Sequence, residues 1–187
     1  SPFFFSLHAS DPREADGGSR RDTGHTLICG PTGSGKTVFI GFLVAMLEKQ
    51  GVTQILIDKD RGLEILVRAM GGTYFALEHG IPTGFNPLQL PSFPANTEFL
   101  RSWLRVLVRP RTAGGTEVPL SVRQEADLAQ ALVGTLALEP AARRLSRLIE
   151  FLDPTDPEGV QARLAPWCAS TGGELAWVFD NAEDAIA

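Results

Sequence analysis

The sequence predicts an α/β fold in which helices alternate with the strands of a parallel sheet. Short apolar runs at Thr26–Cys29, Gln54–Asp58 and Thr73–Leu77 have the length and composition of buried strands. Two segments with helical apolar spacing, Lys36–Gln50 and Leu63–Met70, lie between them. A glycine-rich loop joins the first strand to the first helix. This alternation indicates βαβ units and therefore a parallel sheet.

The length and composition are those of a single globular domain. The chain has 187 residues, of which 43% are hydrophobic and 21% are charged, and both fractions are ordinary for a folded protein. With 19 glycines and 13 prolines, the chain lies below the range of low-complexity sequences. These values exclude an intrinsically disordered chain and a collagen-like one.

The net charge and the cysteines limit the classes of protein to which the chain can belong. Seventeen Lys and Arg against 22 Asp and Glu give a net charge of −5. This argues against a dedicated nucleic-acid-binding module, although a motor could handle nucleic acid through a local patch. Cys29 and Cys168 lie far apart and outside any CxxC pattern, which excludes a disulfide scaffold and favours a reducing compartment. The longest apolar stretch, Val38–Leu47, is too short to cross a bilayer.

The glycine-rich loop carries a complete phosphate-binding motif (P-loop, or Walker A), G-x-x-x-x-G-K-T. Its glycines let backbone N–H groups approach phosphate oxygens, and the following helix directs its positive end at the anion. We expect Lys36 to reach the β- and γ-phosphates of ATP as a catalytic residue, and Thr37 to bind Mg²⁺. The predicted nucleotide-binding residues are Gly30, Pro31, Thr32, Gly33, Ser34, Gly35, Lys36 and Thr37.

The chain divides into three predicted regions. Residues 1–94 form the phosphate-binding core, beginning with a strand at Ser1–His8, and residues 95–171 form an inserted helical region. Residues 172–187 return to the sheet with a strand at Leu175–Phe179. The chain begins without an initiator Met, so we expect an excised fragment whose sheet is incomplete at its C-terminus.

Start signals predict the helices of the inserted region. Asn96 is expected to cap the first helix, and Ser121 with Gln124 forms a capping box for the second. Apolar spacing over Ala141–Leu152 predicts a third helix, and Asp156–Pro157 is an expected N-cap and first-turn proline for a fourth.

Hydrolysis needs more than a P-loop, because an acidic residue at the end of a second strand helps to hold Mg²⁺. Asp58, followed closely by Asp60, and Asp180 are the candidates, since the carboxyl edge of a parallel sheet is where ligands bind. Both could equally be polar residues that begin loops. Arg61 could be a structural ion pair, a subunit contact or a phosphate sensor, and a solvated loop charge is the simpler interpretation.

Five stretches in this order resemble the C-terminal motor domain of the TrbE/CagE-like ATPases of type IV secretion and conjugation systems. The resemblance runs along nearly the whole chain, and the last four stretches make it specific, because the P-loop is shared by many ATPases. The stretches are Gly24–Thr37, Leu56–Gly62, Met70–Leu77, Pro82–Leu90 and Leu175–Asn181.

The resemblance implies a RecA-like, HerA/FtsK-type motor fold with helices inserted between sheet strands. It implies ATP-driven pilus assembly and export of DNA or protein at the cytoplasmic face of the bacterial inner membrane, with no membrane span in this region. It also implies a hexamer or dimer that associates with other secretion ATPases and inner-membrane components. In such proteins the Walker B acids follow the FDN stretch, so Asp180 would not be that acid and this fragment would be inactive alone.

Two other functions remain open from the residues. A nucleotide-gated assembly module would use ATP to order a subunit interface without turnover of its own. A small P-loop kinase would transfer the phosphoryl group to a metabolite, but such kinases usually carry an arginine-rich lid.

Overall fold

The computed structural model describes residues 25–109 and 119–185. The chain separates into two compact units, with the boundary between Tyr74 and Phe75. Residues 75–94 and 172–185 therefore belong to the same unit as the helical region. The strand predicted at Ser1–His8 lies outside the described residues.

The first unit contains the two predicted helices, α1 at Lys36–Glu48 and α2 at Glu64–Ala69. The helices meet at Gly41, where a Cβ would lie 3.2 Å from Leu66 Cδ2 and 3.6 Å from Leu63 Cδ2. A glycine at this point of α1 therefore lets the leucines of the following segment approach the helix backbone. Gly51, with φ of 67°, follows the end of α1 as expected.

The buried side of α1 differs from the prediction. The sequence pattern favours the stripe that includes Phe39, Phe42 and Met46, but all three side chains are exposed, and the buried residues of the helix are Gly41 and Val44. The reason is that α1 is apolar almost all round from Val38 onward, so its periodicity does not select one face. The contact with Leu63 and Leu66 selects it instead.

The predicted parallel sheet is not confirmed, because the described residues contain no β-strand. The segments Thr26–Cys29, Gln54–Asp58 and Thr73–Leu77 are neither helical nor paired, and Ile57 is fully exposed. A parallel strand needs neighbours on its edges and cover on both faces. The sheet of the first unit remains a prediction.

The second unit is helical and contains the core. Its two long helices are α3 at Pro94–Val108 and α4 at Val122–Leu136. Three short helices follow, α5 at Leu145–Leu148, α6 at Val160–Leu164 and α7 at Ala176–Phe179. Single 3₁₀ turns lie at Pro87–Gln89, Pro140–Ala142, Ile149–Phe151, Ala165–Trp167 and Ala169–Thr171.

A single cluster of aliphatic side chains from these helices forms the core of the second unit. Trp103, Trp167 and Phe179 cover it, with Phe179 edge-on to Trp103 at a centroid distance of 5.3 Å. The fully buried members include Leu88, Leu100, Leu104, Leu132, Leu145, Leu148 and Leu164.

The start of α4 is as predicted and the start of α3 is not. Ser121 Oγ accepts the Gln124 N–H at 3.2 Å and Gln124 Oε1 accepts the Ser121 N–H at 3.0 Å, which completes the capping box. Asn96 lies within α3, because Pro94 occupies the first helical position after Phe93. The Asn96 amide donates back to the Pro91 carbonyl instead.

The strand predicted at Leu175–Phe179 is wrong, since α7 occupies Ala176–Phe179. This run is apolar at every position, and periodicity cannot distinguish a buried strand from a short buried helix in such a run. Packing decides the outcome, because Phe179 faces Trp103 and Trp167.

Two further helix predictions need correction. The segment 141–152 is broken into α5 and two 3₁₀ turns, because Arg143 and Arg144 are extended and interrupt it. Asp156 does not cap a helix: its carboxylate accepts the Glu158 N–H in a local turn. Helix α6 begins three residues later, after Gly159.

Candidate functional site

The P-loop turns sharply into α1 because two of its residues have positive φ angles. Gly33 has φ of 80° and Gly35 has φ of 84°, a region that glycine enters without steric cost. The Ser34 N–H donates to the Pro31 carbonyl at 3.2 Å within the turn. Gly35 is the N-cap of α1 and provides no side-chain cap, and the first turn carries no acidic residue. The first turn of α1 therefore has no carboxylate to neutralise the positive end of the helix.

Lys36 folds its ammonium group across the loop. Its Nζ donates to the carbonyl oxygens of Gly30 at 2.7 Å and Pro31 at 2.8 Å. An ammonium has three donors, so these two bonds hold the positive charge beside the loop backbone and leave one donor for a further acceptor. Lys36 is the first residue of α1, so the helix fixes where its side chain starts.

The Ser34 side chain packs against Gly30 where a side chain on residue 30 would lie. A Cβ at this position would lie 2.6 Å from Ser34 Oγ and 3.6 Å from Lys36 Cγ. The motif's residue types and its two left-handed glycines are those that let backbone N–H groups approach an anion. The residues present therefore fit the phosphate groups of a nucleotide.

Thr37 lies at the second position of α1 and is exposed, so its hydroxyl is available to a metal ion held on a nucleotide. Within residues 25–109 and 119–185, no group of three or more His, Cys, Asp or Glu could hold a metal ion. Mg²⁺ in nucleotide sites is usually held by one or two protein oxygens with phosphates and water. The donor set at Thr37 is of this kind.

Asp58 organises the turn between the second apolar segment and α2. Its Oδ2 accepts the Leu63 N–H at 2.8 Å and its Oδ1 accepts the Asp60 N–H at 3.3 Å. The carboxylate therefore caps the turn that precedes α2. Leu63, the N-cap residue of α2, makes no side-chain capping hydrogen bond. Asp60 is exposed within the same turn.

Arg61 is the one non-glycine residue with positive φ in the described chain, at 56°. Its guanidinium Nε lies 3.3 Å from Glu64 Oε2, and Glu64 also pairs with Arg68 at 3.0 Å. Arg68 in turn stacks over the Tyr74 ring. Desolvation, with the nearby carboxylates of Asp58 and Glu64, raises the pKa of the Tyr74 phenol above its ordinary value.

Asp180 lies in the second unit and serves its packing. The side chain is buried, and its carboxylate accepts the Ser146 N–H at 2.9 Å, the Ala169 N–H at 2.7 Å and the Ser146 hydroxyl. These bonds join the residue after α7 to the start of α5 and to the 3₁₀ turn after Cys168. All of its observed partners are structural.

The buried Cys168 thiol lies close to this carboxylate. Burial, with the nearby Asp180 charge, raises the pKa of Cys168 to about 12. Its Sγ donates to the Leu164 carbonyl at 3.4 Å. Cys168 is therefore an unreactive core residue, whereas Cys29 is exposed.

Asn86 and Asn181 form a long-range pair that no local motif of the sequence indicates. Asn86 is fully buried, and its amide donates to the carbonyls of Asn181 at 2.7 Å and Arg143 at 2.8 Å. Asn181 Nδ2 donates to the Phe85 carbonyl at 3.0 Å. Two stretches that carry the family resemblance, Pro82–Leu90 and Leu175–Asn181, are thus bound together across 95 residues.

A comparison with models of protein families shows to which family the chain belongs. The model of the TraG P-loop domain matches residues 12–108, which include the whole P-loop and helices α1, α2 and α3. The chain belongs to this family. The predicted P-loop class is therefore confirmed, while the RecA-like sheet stays a prediction.

Similar proteins agree with the TraG P-loop assignment. The type IV secretion system protein virB4 of Bartonella henselae is 43% identical over 98% of this chain. The type IV secretion system protein PtlC of Bordetella pertussis is 40% identical over 99% of it. The protein virB4 of Agrobacterium fabrum is 41% identical over 88% of it.

The chain spans only about a fifth of the length of these relatives, from 21% to 23%. The predicted resemblance to type IV secretion proteins is confirmed, since it covers nearly all of this TraG P-loop chain. Among the described residues, no helix combines the length and apolarity that a membrane span needs.

Proposed function

We propose that this chain is the ATP-binding part of a motor ATPase that powers a type IV secretion system. The observation that carries the proposal is the P-loop of residues 30–37, in which two left-handed glycines turn the chain into α1 and Lys36 Nζ folds back onto the Gly30 and Pro31 carbonyls. The names of the similar proteins supply the biological context, since two of those quoted are type IV secretion system proteins.

Each residue of the predicted P-loop has a role in this proposal. Gly30, Gly33 and Gly35 let backbone N–H groups contact the phosphates, and Lys36 neutralises charge on the β- and γ-phosphates. Thr37 contributes a hydroxyl ligand to Mg²⁺, and the metal ion supplies charge stabilisation at the phosphates. The intervening residues Pro31, Thr32 and Ser34 complete the loop.

The wider assignments belong to the same proposal. The motor would assemble as a hexamer or dimer and associate with other secretion ATPases and inner-membrane components at the cytoplasmic face of the bacterial inner membrane. Its work would be pilus assembly and the export of DNA or protein, including conjugative transfer. The similarity to virB4 and PtlC proteins over nearly the whole chain supports a place in such a system.

The test is ATP hydrolysis and secretion by the protein at its full natural length. We expect Lys36→Ala to reduce phosphate release at least about 100-fold and to abolish secretion in the host, because the phosphate charge is no longer neutralised. The matched control is Lys49→Ala, which removes an exposed lysine at the other end of α1. Equal turnover in Lys36→Ala and Lys49→Ala would contradict the proposal.

The same preparation separates the alternatives. Transfer of the γ-phosphoryl group to a small acceptor instead of water would indicate a kinase. An ATP-dependent change in oligomeric state without phosphate release would indicate a nucleotide-gated assembly module. The similar proteins favour neither.

A further inference from the structure

Within the turn that Asp58 organises, Gly62 lies against Thr37 of the P-loop helix. A Cβ at residue 62 would lie 3.1 Å from the Thr37 methyl carbon, Cγ2, which is closer than carbon atoms normally approach. Both residues belong to the first compact unit. Gly62 has no positive φ, so its backbone conformation does not require glycine. A side chain at this position would instead crowd the Thr37 methyl group by a few tenths of an ångström.

The missing side chain at residue 62 leaves room for the Thr37 side chain in its observed orientation. A threonine in a helix divides between two χ1 rotamers, because its hydroxyl and methyl groups compete for positions on Cβ. In the structure the methyl group occupies the side that faces Gly62, so the hydroxyl is directed to another position. A larger residue at 62 would push the methyl group away and disturb the hydroxyl with it.

Hydrogen bonds and an ion pair hold the turn that contains Gly62. The Asp58 carboxylate accepts the N–H groups of Asp60 and Leu63, on either side of Gly62. Arg61, in its left-handed conformation, is tied to Glu64. These bonds hold the backbone on both sides of Gly62.

We propose that Gly62 is a positioning residue of the nucleotide site, because the space left by its missing side chain lets Thr37 adopt the rotamer that directs its hydroxyl to Mg²⁺. The inference rests on the proposed function, because it assigns a metal-binding role to the Thr37 hydroxyl. It explains why a turn 25 residues after the P-loop carries a glycine that its own backbone does not need.

The test measures how Mg²⁺ changes ATP binding in the protein at its full natural length, with EDTA as the metal-free reference. We expect Gly62→Ala to bind ATP like the wild type in EDTA but to need about 10-fold more Mg²⁺ to reach its tighter binding. Thr37→Ser removes the methyl group, keeps the hydroxyl and conforms to the motif. The double variant Gly62→Ala/Thr37→Ser should therefore regain most of the wild-type Mg²⁺ response.

The matched control is Gly72→Ala, which introduces a similar crowding, 3.0 Å from Val67 Cγ1, elsewhere in the same unit. Its Mg²⁺ response should equal that of the wild type. An unchanged response in Gly62→Ala, or a loss that Thr37→Ser does not restore, would overturn the inference while leaving the proposed function intact. Absence of Mg²⁺-dependent ATP binding in the wild type would overturn the proposed function and this inference together.

Discussion

Two carboxylates that follow apolar segments, Asp58 and Asp180, both accept backbone N–H groups. Asp58 holds the turn before α2, and Asp180 joins α5 to the turn after Cys168. A carboxylate with two oxygens can accept several hydrogen bonds at once, and removing it from a buried site leaves those donors without partners. Asp180 is the more buried of the two and so contributes more to stability.

We expect Asp180→Asn to lower the free energy of unfolding of the second unit by about 2–3 kcal/mol. The side-chain amide of the asparagine would place an N–H group opposite one of the groups of Ser146 and Ala169 that now donate to the Asp180 carboxylate. Urea unfolding followed by tryptophan fluorescence measures this effect, because all three tryptophans lie in the second unit. The control is Glu174→Gln at an exposed carboxylate, which should stay within about 0.5 kcal/mol of the wild type. Equal stability of the two variants would contradict the structural role of Asp180.

Among single residues, the sequence predicts the roles of those that depend on a motif or on their own backbone conformation. Gly33, Gly35 and Lys36 are predictable because the motif fixes their spacing and the loop needs their conformations. Gly62 and Asn86 are not, because their roles depend on Thr37 and Asn181, which lie far away in sequence.

Among the elements, the junction between the α6 region and α7 is the most constrained. A Cβ on Gly173 would overlap the carbonyl oxygen of Pro166 and lie 2.5 Å from that of Ala165. Neither backbone oxygen can rotate away as a side chain would. Gly172, the preceding residue, has φ of 69° and open space where its Cβ would be.

Alanine substitutions at these two neighbouring glycines can be compared directly. Gly173→Ala should destabilise the second unit by about 3 kcal/mol, because the added methyl group collides with backbone. Gly172→Ala should cost only about 1 kcal/mol, the conformational cost of a left-handed alanine. Urea midpoints of the two variants measure the difference. A greater loss in Gly172→Ala would show that conformation, not space, governs the junction.

The long helices are predictable and the short ones are not. Helices α3 and α4 have 15 residues each, with apolar spacing repeated over several turns, and α4 also has a capping box. Helices α5 and α7 have four residues each, too few for periodicity to identify them. Their conformation follows from packing and from the Asp180 hydrogen bonds, neither of which a local pattern contains.

On the scale of the whole molecule, the core and the candidate site belong to different units. The aliphatic core lies in the second unit. The P-loop lies in the first, whose one buried aliphatic side chain among the described residues is Val44. The P-loop class and the relationship to secretion proteins could be predicted because both are carried by contiguous motifs. The parallel sheet remains a prediction, because its strands require long-range pairing.

The most direct test of the central claim is calorimetric titration of MgATP into the protein at its full natural length, comparing wild type, Lys36→Ala and Lys49→Ala. Lys36 Nζ faces the P-loop backbone at Gly30 and Pro31, whereas Lys49 lies at the far end of α1. The account predicts binding by the wild type and Lys49→Ala, and at least about a 10-fold loss of affinity in Lys36→Ala. Equal affinity in all three proteins, or no binding to the wild type, would contradict it.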